Sequence, residues 1–85
     1  MKEFTYIIQD PNGIHAHPAG VLVKQANAFR SNIHIIKGNK TGDLKRIFSV
    51  MAMNVKHGDA ITIRIIGEDE DQAKPVIEAF LKKNL

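Results

Sequence analysis

The chain has 85 residues, 44% hydrophobic and 25% charged. That is ordinary globular usage; it argues against disorder and points to a single domain, residues 1–85, with one modest core. Cysteine is absent, which excludes disulfides, cysteine-based zinc sites and a thiol nucleophile and fits a reducing cytoplasm. Twelve Lys and Arg against nine Asp and Glu give a formal charge of +3, but the basic residues are scattered, so charge alone names no partner.

The first ten residues, MKEFTYIIQD, mix Glu3, Thr5, Gln9 and Asp10 among apolar side chains and lack the apolar core of a signal peptide. Phe4, Tyr6 and Ile8 alternate with Thr5, Ile7 and Gln9, the period of a strand with one buried face. Asp10-Pro11-Asn12-Gly13 breaks it with a fixed φ, an Asx turn and a permitted positive φ. Pro18 suits the first turn of a helix. Ala19, Leu22, Val23, Ala26 and Phe29 then share one helical face, so a helix is expected from about Ala16 or Pro18 to about Phe29.

Asn32 to Ile36 reads as a second strand, Lys37-Gly38-Asn39-Lys40 as a turn, and Thr41 to Asp43 as a short returning strand. Leu44 to Met53 reads as a short helix with too many apolar residues for one stripe, so some should stay exposed. Its stretch Val50 to Met53 is the longest strictly apolar run, at four residues, far short of a membrane span. After a turn at Lys56-His57-Gly58-Asp59, Ile61, Ile63 and Ile65 alternate with Thr62 and Arg64 in the clearest strand. Gly67 ends it. The last segment is helical by pattern, with Val76, Ile77, Phe80 and Leu81 inward. Pro75 means that the helix either starts close to that residue or bends there; a helix from about residue 74 to 83, after a turn, is the expectation. The order β-α-β-β-α-β-α fits an α+β fold of one antiparallel sheet with helices on one face. A ferredoxin-like arrangement has the same order, and pattern alone does not separate the two.

His15 is the sharpest candidate for chemistry. A helix start presents unpaired N–H groups and the positive end of the macrodipole, which favour an anion by about 0.3–1 kcal/mol. A neutral imidazole is also a nucleophile. Together they make a place where a ring could accept a phosphoryl group and hold it, although a solvated loop histidine fits the spacing as well. His17 can be read as half of a His-x-His metal pair, with Asp10 the only nearby carboxylate, or as a donor to an anion held at His15. His34, in a strand, and His57, in a turn, read as structural or surface residues. Ser31 and Ser49 show no sign of activation, and the acidic run Glu68 to Asp71 reads as a solvated helix approach. No P-loop is present. The absence of paired strand aromatics argues against a nucleic-acid-binding sheet.

The stretch Gly13-Ile14-His15-Ala16-His17-Pro18-Ala19 resembles the HPr family, the histidine-containing phosphocarriers of the bacterial phosphoenolpyruvate:sugar phosphotransferase system. The family pattern there is G-[LI]-H-[AT]-R-P-A. The resemblance covers nearly the whole chain. Asn39-Lys40 matches a hairpin turn, Leu44 to Met51 resembles the second motif with K-S-I-M or K-S-L-F at its centre, and Gly67 to Ala73 resembles the start of the last helix. It implies an open-faced β-sandwich, a four-stranded antiparallel sheet with three helices on one face.

It implies also that His15 takes a phosphoryl group on Nδ1 from enzyme I and passes it to a sugar-specific enzyme IIA during sugar uptake. The protein would be a carrier rather than an enzyme, monomeric and cytoplasmic, with no metal or organic cofactor. Ile47, Phe48 and Met51 match the exposed apolar patch that docks on partners. Two positions depart. His17 replaces the arginine that helps hold the phosphoryl group. Arg46 stands where Gram-positive relatives carry a serine modified by HPr kinase/phosphorylase, and it would join the partner-binding surface instead. The alternative reading is an HPr-like regulator whose phosphorylation state controls a transcription factor or enzyme.

Overall fold

In the computed structural model, which describes residues 1–85, the chain runs β1 (Lys2–Ile7), α1 (Ala16–Ala26), β2 (Asn32–Lys37), β3 (Lys40–Asp43), α2 (Ile47–Ala52), β4 (Ala60–Ile66) and α3 (Glu70–Asn84). All strand pairs are antiparallel, in the order β1-β4-β2-β3. The alternating isoleucines of β4 explain its central place. Ile61, Ile63 and Ile65 are fully buried on one face, opposite Tyr6, Phe4 and Lys2 of β1. Ile33 and Ile35 of β2 meet Ile65 and Ile63 from the other side. Leu22 and Ala26 of α1, Val50 of α2 and Ile77 and Leu81 of α3 complete that core. Each fully buried isoleucine or leucine contributes about 1.5–3 kcal/mol of apolar burial.

The opposite face carries the polar half of the alternation and lies bare. Thr5 and Thr62 share a hydroxyl hydrogen bond at 3.2 Å, and Arg64 Nε donates to Glu3 at 2.7 Å. The strand order, with β4 between β1 and β2, excludes the ferredoxin-like alternative and matches the open-faced architecture.

Three helix boundaries differ from the sequence expectation, each for a reason that lies outside the helix. α1 stops at Ala26, short of Phe29. The Asn27 amide donates both to the Val23 carbonyl at 2.8 Å and to the Lys45 carbonyl at 3.0 Å, and the next two N–H groups close tighter, three-residue turns. α2 starts at Ile47, not Leu44. The Leu44 N–H bonds the Ile33 carbonyl at 2.9 Å, so Leu44 continues from the sheet with its side chain wholly buried.

The expected start of the last helix near residue 74 is wrong: α3 begins at Glu70 and carries Pro75 inside it. The proline leaves the Asp71 carbonyl without its helical donor. Both residues face solvent, where water can satisfy that carbonyl. The turn ahead of Pro75 is meanwhile held from outside, by the Met1 ammonium on Glu70 at 2.7 Å and by the bonds of Asp69 to Arg30 and Ser31.

Candidate functional site

The loop between β1 and α1 is fixed before it reaches His15. The Gln9 and Asp10 N–H groups donate to the main-chain oxygen of Leu85 at 2.6 and 2.8 Å. Asp10 Oδ1 accepts the Asn12 N–H at 2.8 Å, an Asx turn, and the Gly13 N–H closes onto the Asp10 carbonyl at 2.9 Å. Gly13 has φ +65°, and a Cβ there would stand 2.2 Å from the Val55 carbonyl oxygen. Only glycine allows that approach. Ile14 then buries its side chain and donates its N–H to the same carbonyl at 3.1 Å.

His15 is the N-cap of α1, in extended conformation, and its carbonyl accepts the Ala19 N–H at 3.0 Å. No side chain caps the helix and no acidic residue lies in its first turn. The N–H groups of Ala16 and His17 have no partner within the chain, and Pro18 has none to offer. The positive end of the helix is therefore uncompensated beside an imidazole whose side chain is 42% exposed. That ring places Nε2 3.4 Å from Asp10 Oδ2. The Asn12 N–H, and after it the His15 ring, hold the Asp10 carboxyl below the usual range against the opposing effect of desolvation; His57 adds a weaker pull in the same direction.

His17 is exposed on the first turn of α1. His34 lies half-buried in β2, in register with Arg64 and Asp43 on the bare face, away from this loop. His57 belongs to a turn whose Gly58 N–H bonds the Ile8 carbonyl at 2.8 Å, which brings it toward Asp10. No three metal-ligating side chains gather anywhere in the chain. Asp10 had no role in the sequence reading beyond being the nearest carboxylate. The signal that could have found it was an aspartate five residues before the histidine, across a Pro-Asn-Gly turn.

α2 sorts its apolar excess. Val50 points inward and Met53, just past its end, is buried, while Phe48 is 86% exposed and Met51 is 38% exposed. Ile47 is half-buried against the core, so it belongs to the patch only by its edge. Arg46 is exposed at the N-cap of α2. α1 and α2 pack against one another, so the two features lie on neighbouring helices.

The chain matches the family model for the HPr component of the phosphotransferase system, described as its phosphorylation site, over residues 2–83. It is 40% identical over 85 residues to the phosphocarrier protein HPr of Mycoplasma genitalium, covering 99% of this chain and 97% of that protein. It is 51% identical over 78 residues to the HPr of Mycoplasma capricolum, covering 92% and 88%. A solved histidine-containing phosphocarrier protein from Mycoplasma superposes with a TM-score of 0.94 at 48% identity, covering 96% of this chain and 93% of that one. Crh of Bacillus subtilis, solved as a domain-swapped dimer, superposes at 0.79 with 29% identity, covering 94% and 92%. By sequence over nearly its whole length and by fold, this chain belongs to the HPr family, whose members are phosphocarrier proteins of the phosphotransferase system rather than enzymes.

Proposed function

We propose that the chain carries the phosphoryl group on His15, accepts it from enzyme I charged by phosphoenolpyruvate, and delivers it to sugar-specific enzyme IIA proteins in sugar uptake. The observation that supports this most is the pairing of a half-exposed imidazole with an uncapped helix N-terminus. The imidazole supplies the nucleophile, and the Ala16 and His17 N–H groups supply donors for an oxyanion. His17 adds an imidazole donor where the family carries arginine. The outward side chains of Phe48 and Met51, with the edge of Ile47 and the charge of Arg46, form the docking surface. The carrier works as a monomer. A cytoplasmic setting goes with this reading, since phosphoenolpyruvate is a metabolite of the cell interior.

The test is incubation with enzyme I and phosphoenolpyruvate, followed by mass spectrometry and phosphorus NMR. One phosphoryl group on His15, and none on His15→Ala, is the expected result; phosphate on His17, His34 or His57 overturns the assignment. Chasing the charged protein with an enzyme IIA tests delivery. Acceptance without delivery would instead favour the regulatory reading.

A further inference from the structure

Asp10 is held in place by bonds that leave one of its oxygens free. Its N–H is anchored on Leu85, its carbonyl on Gly13 and its Oδ1 on the Asn12 N–H. Oδ2 remains, and it faces His15 Nε2 at 3.4 Å. The ring is not used to cap its own helix. An ionised carboxylate accepts hydrogen bonds and cannot donate them, so the ring nitrogen facing it must carry a proton. A neutral imidazole has one proton, and placing it on Nε2 leaves the lone pair on Nδ1.

We infer that Asp10 is a positioning residue for phosphoryl transfer: its carboxylate fixes His15 as the Nε2–H tautomer and so presents Nδ1 as the nucleophile. This rests on the reading of His15 as the phosphoryl acceptor. In the transfer step the Nδ1 lone pair forms the N–P bond while the donor's bond to phosphorus breaks, and the donor leaves with that electron pair. The proton stays on Nε2. The ring becomes cationic, and the Asp10 carboxylate lies beside the end of the ring that keeps the proton. The opposite tautomer has its proton on Nδ1 and no lone pair there to react. The same logic governs an aspartate behind a catalytic histidine, where the amide substitution disables the reaction by admitting the wrong tautomer.

Asp10→Asn is the informative change. Asparagine supports the Asx turn, but its amide can turn either its oxygen or its NH2 toward the ring, so selection between tautomers is lost. The experiment compares wild type, Asp10→Asn and His15→Ala, with potassium phosphoramidate as the donor so that protein docking plays no part. Nitrogen NMR reads the His15 tautomer before phosphorylation, and phosphorus NMR reads the rate and the position of the phosphoryl group. In wild type the expected result is a single Nε2–H tautomer and phosphorylation at Nδ1. In Asp10→Asn it is a mixed tautomer with acceptance slowed by about three- to tenfold, far less than in a buried triad because this pair is partly exposed. An unchanged tautomer in Asp10→Asn overturns the inference, whether or not the rate falls. Phosphorylation of His15→Ala would overturn the assignment of His15 itself, so the two failures are distinguishable.

Discussion

Position 17 sets what kind of charge can meet an anion at the start of α1. Arginine is cationic at every accessible pH and offers a planar fork of donors. An imidazole offers one or two donors and no such fork. A phosphoryl group on His15 should therefore be held less firmly here than beside an arginine. His17→Arg should lengthen the lifetime of the phosphohistidine by about two- to fivefold, and His17→Ala should shorten it. Phosphorus NMR of the three charged proteins at one pH checks it, and equal lifetimes would show that His17 is not the anion's partner. Phe48 poses a simpler question. At 86% exposure its ring has little burial to lose. Phe48→Ala should leave stability within about 0.5 kcal/mol. It should weaken docking on enzyme I by about 1–2 kcal/mol, the size of a moderate anchor. Denaturation and titration calorimetry read the two separately; large destabilisation with intact docking would make Phe48 a core residue.

Among the elements, α3 depends most on residues far from it in sequence. Asp69, its N-cap, accepts the Arg30 N–H at 2.8 Å, the Ser31 N–H at 2.9 Å and the Ser31 hydroxyl, and so ties the link between α1 and β2 to the helix start. Gly67 makes room for it: φ is +157°, and a Cβ would lie 2.5 Å from Ser31 Oγ. The Ser31 hydroxyl first, and then the Arg30 N–H, lower the Asp69 carboxyl from 3.8 to about 2. A carboxyl lowered on folding stabilises the fold above its unfolded value, and that contribution is lost as pH falls through the folded value. Asp69→Ala should therefore be less stable than wild type at neutral pH, with the gap narrowing between about pH 4 and pH 2. Urea midpoints measured across that range check it, and a gap that stays constant would show that the charge of Asp69 is not what matters. The same contacts explain why the start of α3 was not legible in the sequence. Pro75 is a local signal and argued for a late start, whereas the residues that overrule it lie at positions 1, 30 and 31. The strands read well because period-two alternation is local: Ile61, Ile63 and Ile65 announce both β4 and its buried face. At the site, the placing of His15 at a helix start was legible from Pro18 and the apolar face that follows, and His15 is the N-cap of α1. The approach of Asp10 to its ring was not, because it comes from a loop closed onto Leu85 and Asn12.

Over the whole molecule, cations outnumber carboxylates by three, and most carboxylates are already taken up. Glu3, Asp59, Glu70, Asp71 and Glu78 each lie against a cation, Asp10 lies against His15, and Asp69 is taken up by N–H and hydroxyl donors. Lys24 in the last turn of α1 and Arg46 at the N-cap of α2 have no such carboxylate. Two unpaired cations therefore stand on the packed helices α1 and α2, the second of which presents Phe48. A surface of that kind steers an acidic partner and raises its on-rate more than its final affinity. Salt screens the effect, because the Debye length falls from about 10 Å at 0.1 M to about 3 Å at 1 M. Association with enzyme I should accordingly slow as salt is added, while dissociation changes little. Arg46→Ser should lower the on-rate at low salt by about two- to fivefold and make its salt dependence shallower, since exposed charges act mainly on encounter. It should not impair folding, because Arg46 makes no side-chain cap on α2. Stopped-flow association at a series of salt concentrations provides the measurement. Equal salt slopes for the two proteins would mean that Arg46 lies outside the approach path, and any steering would then have to come from other unpaired cations such as Lys24 on α1.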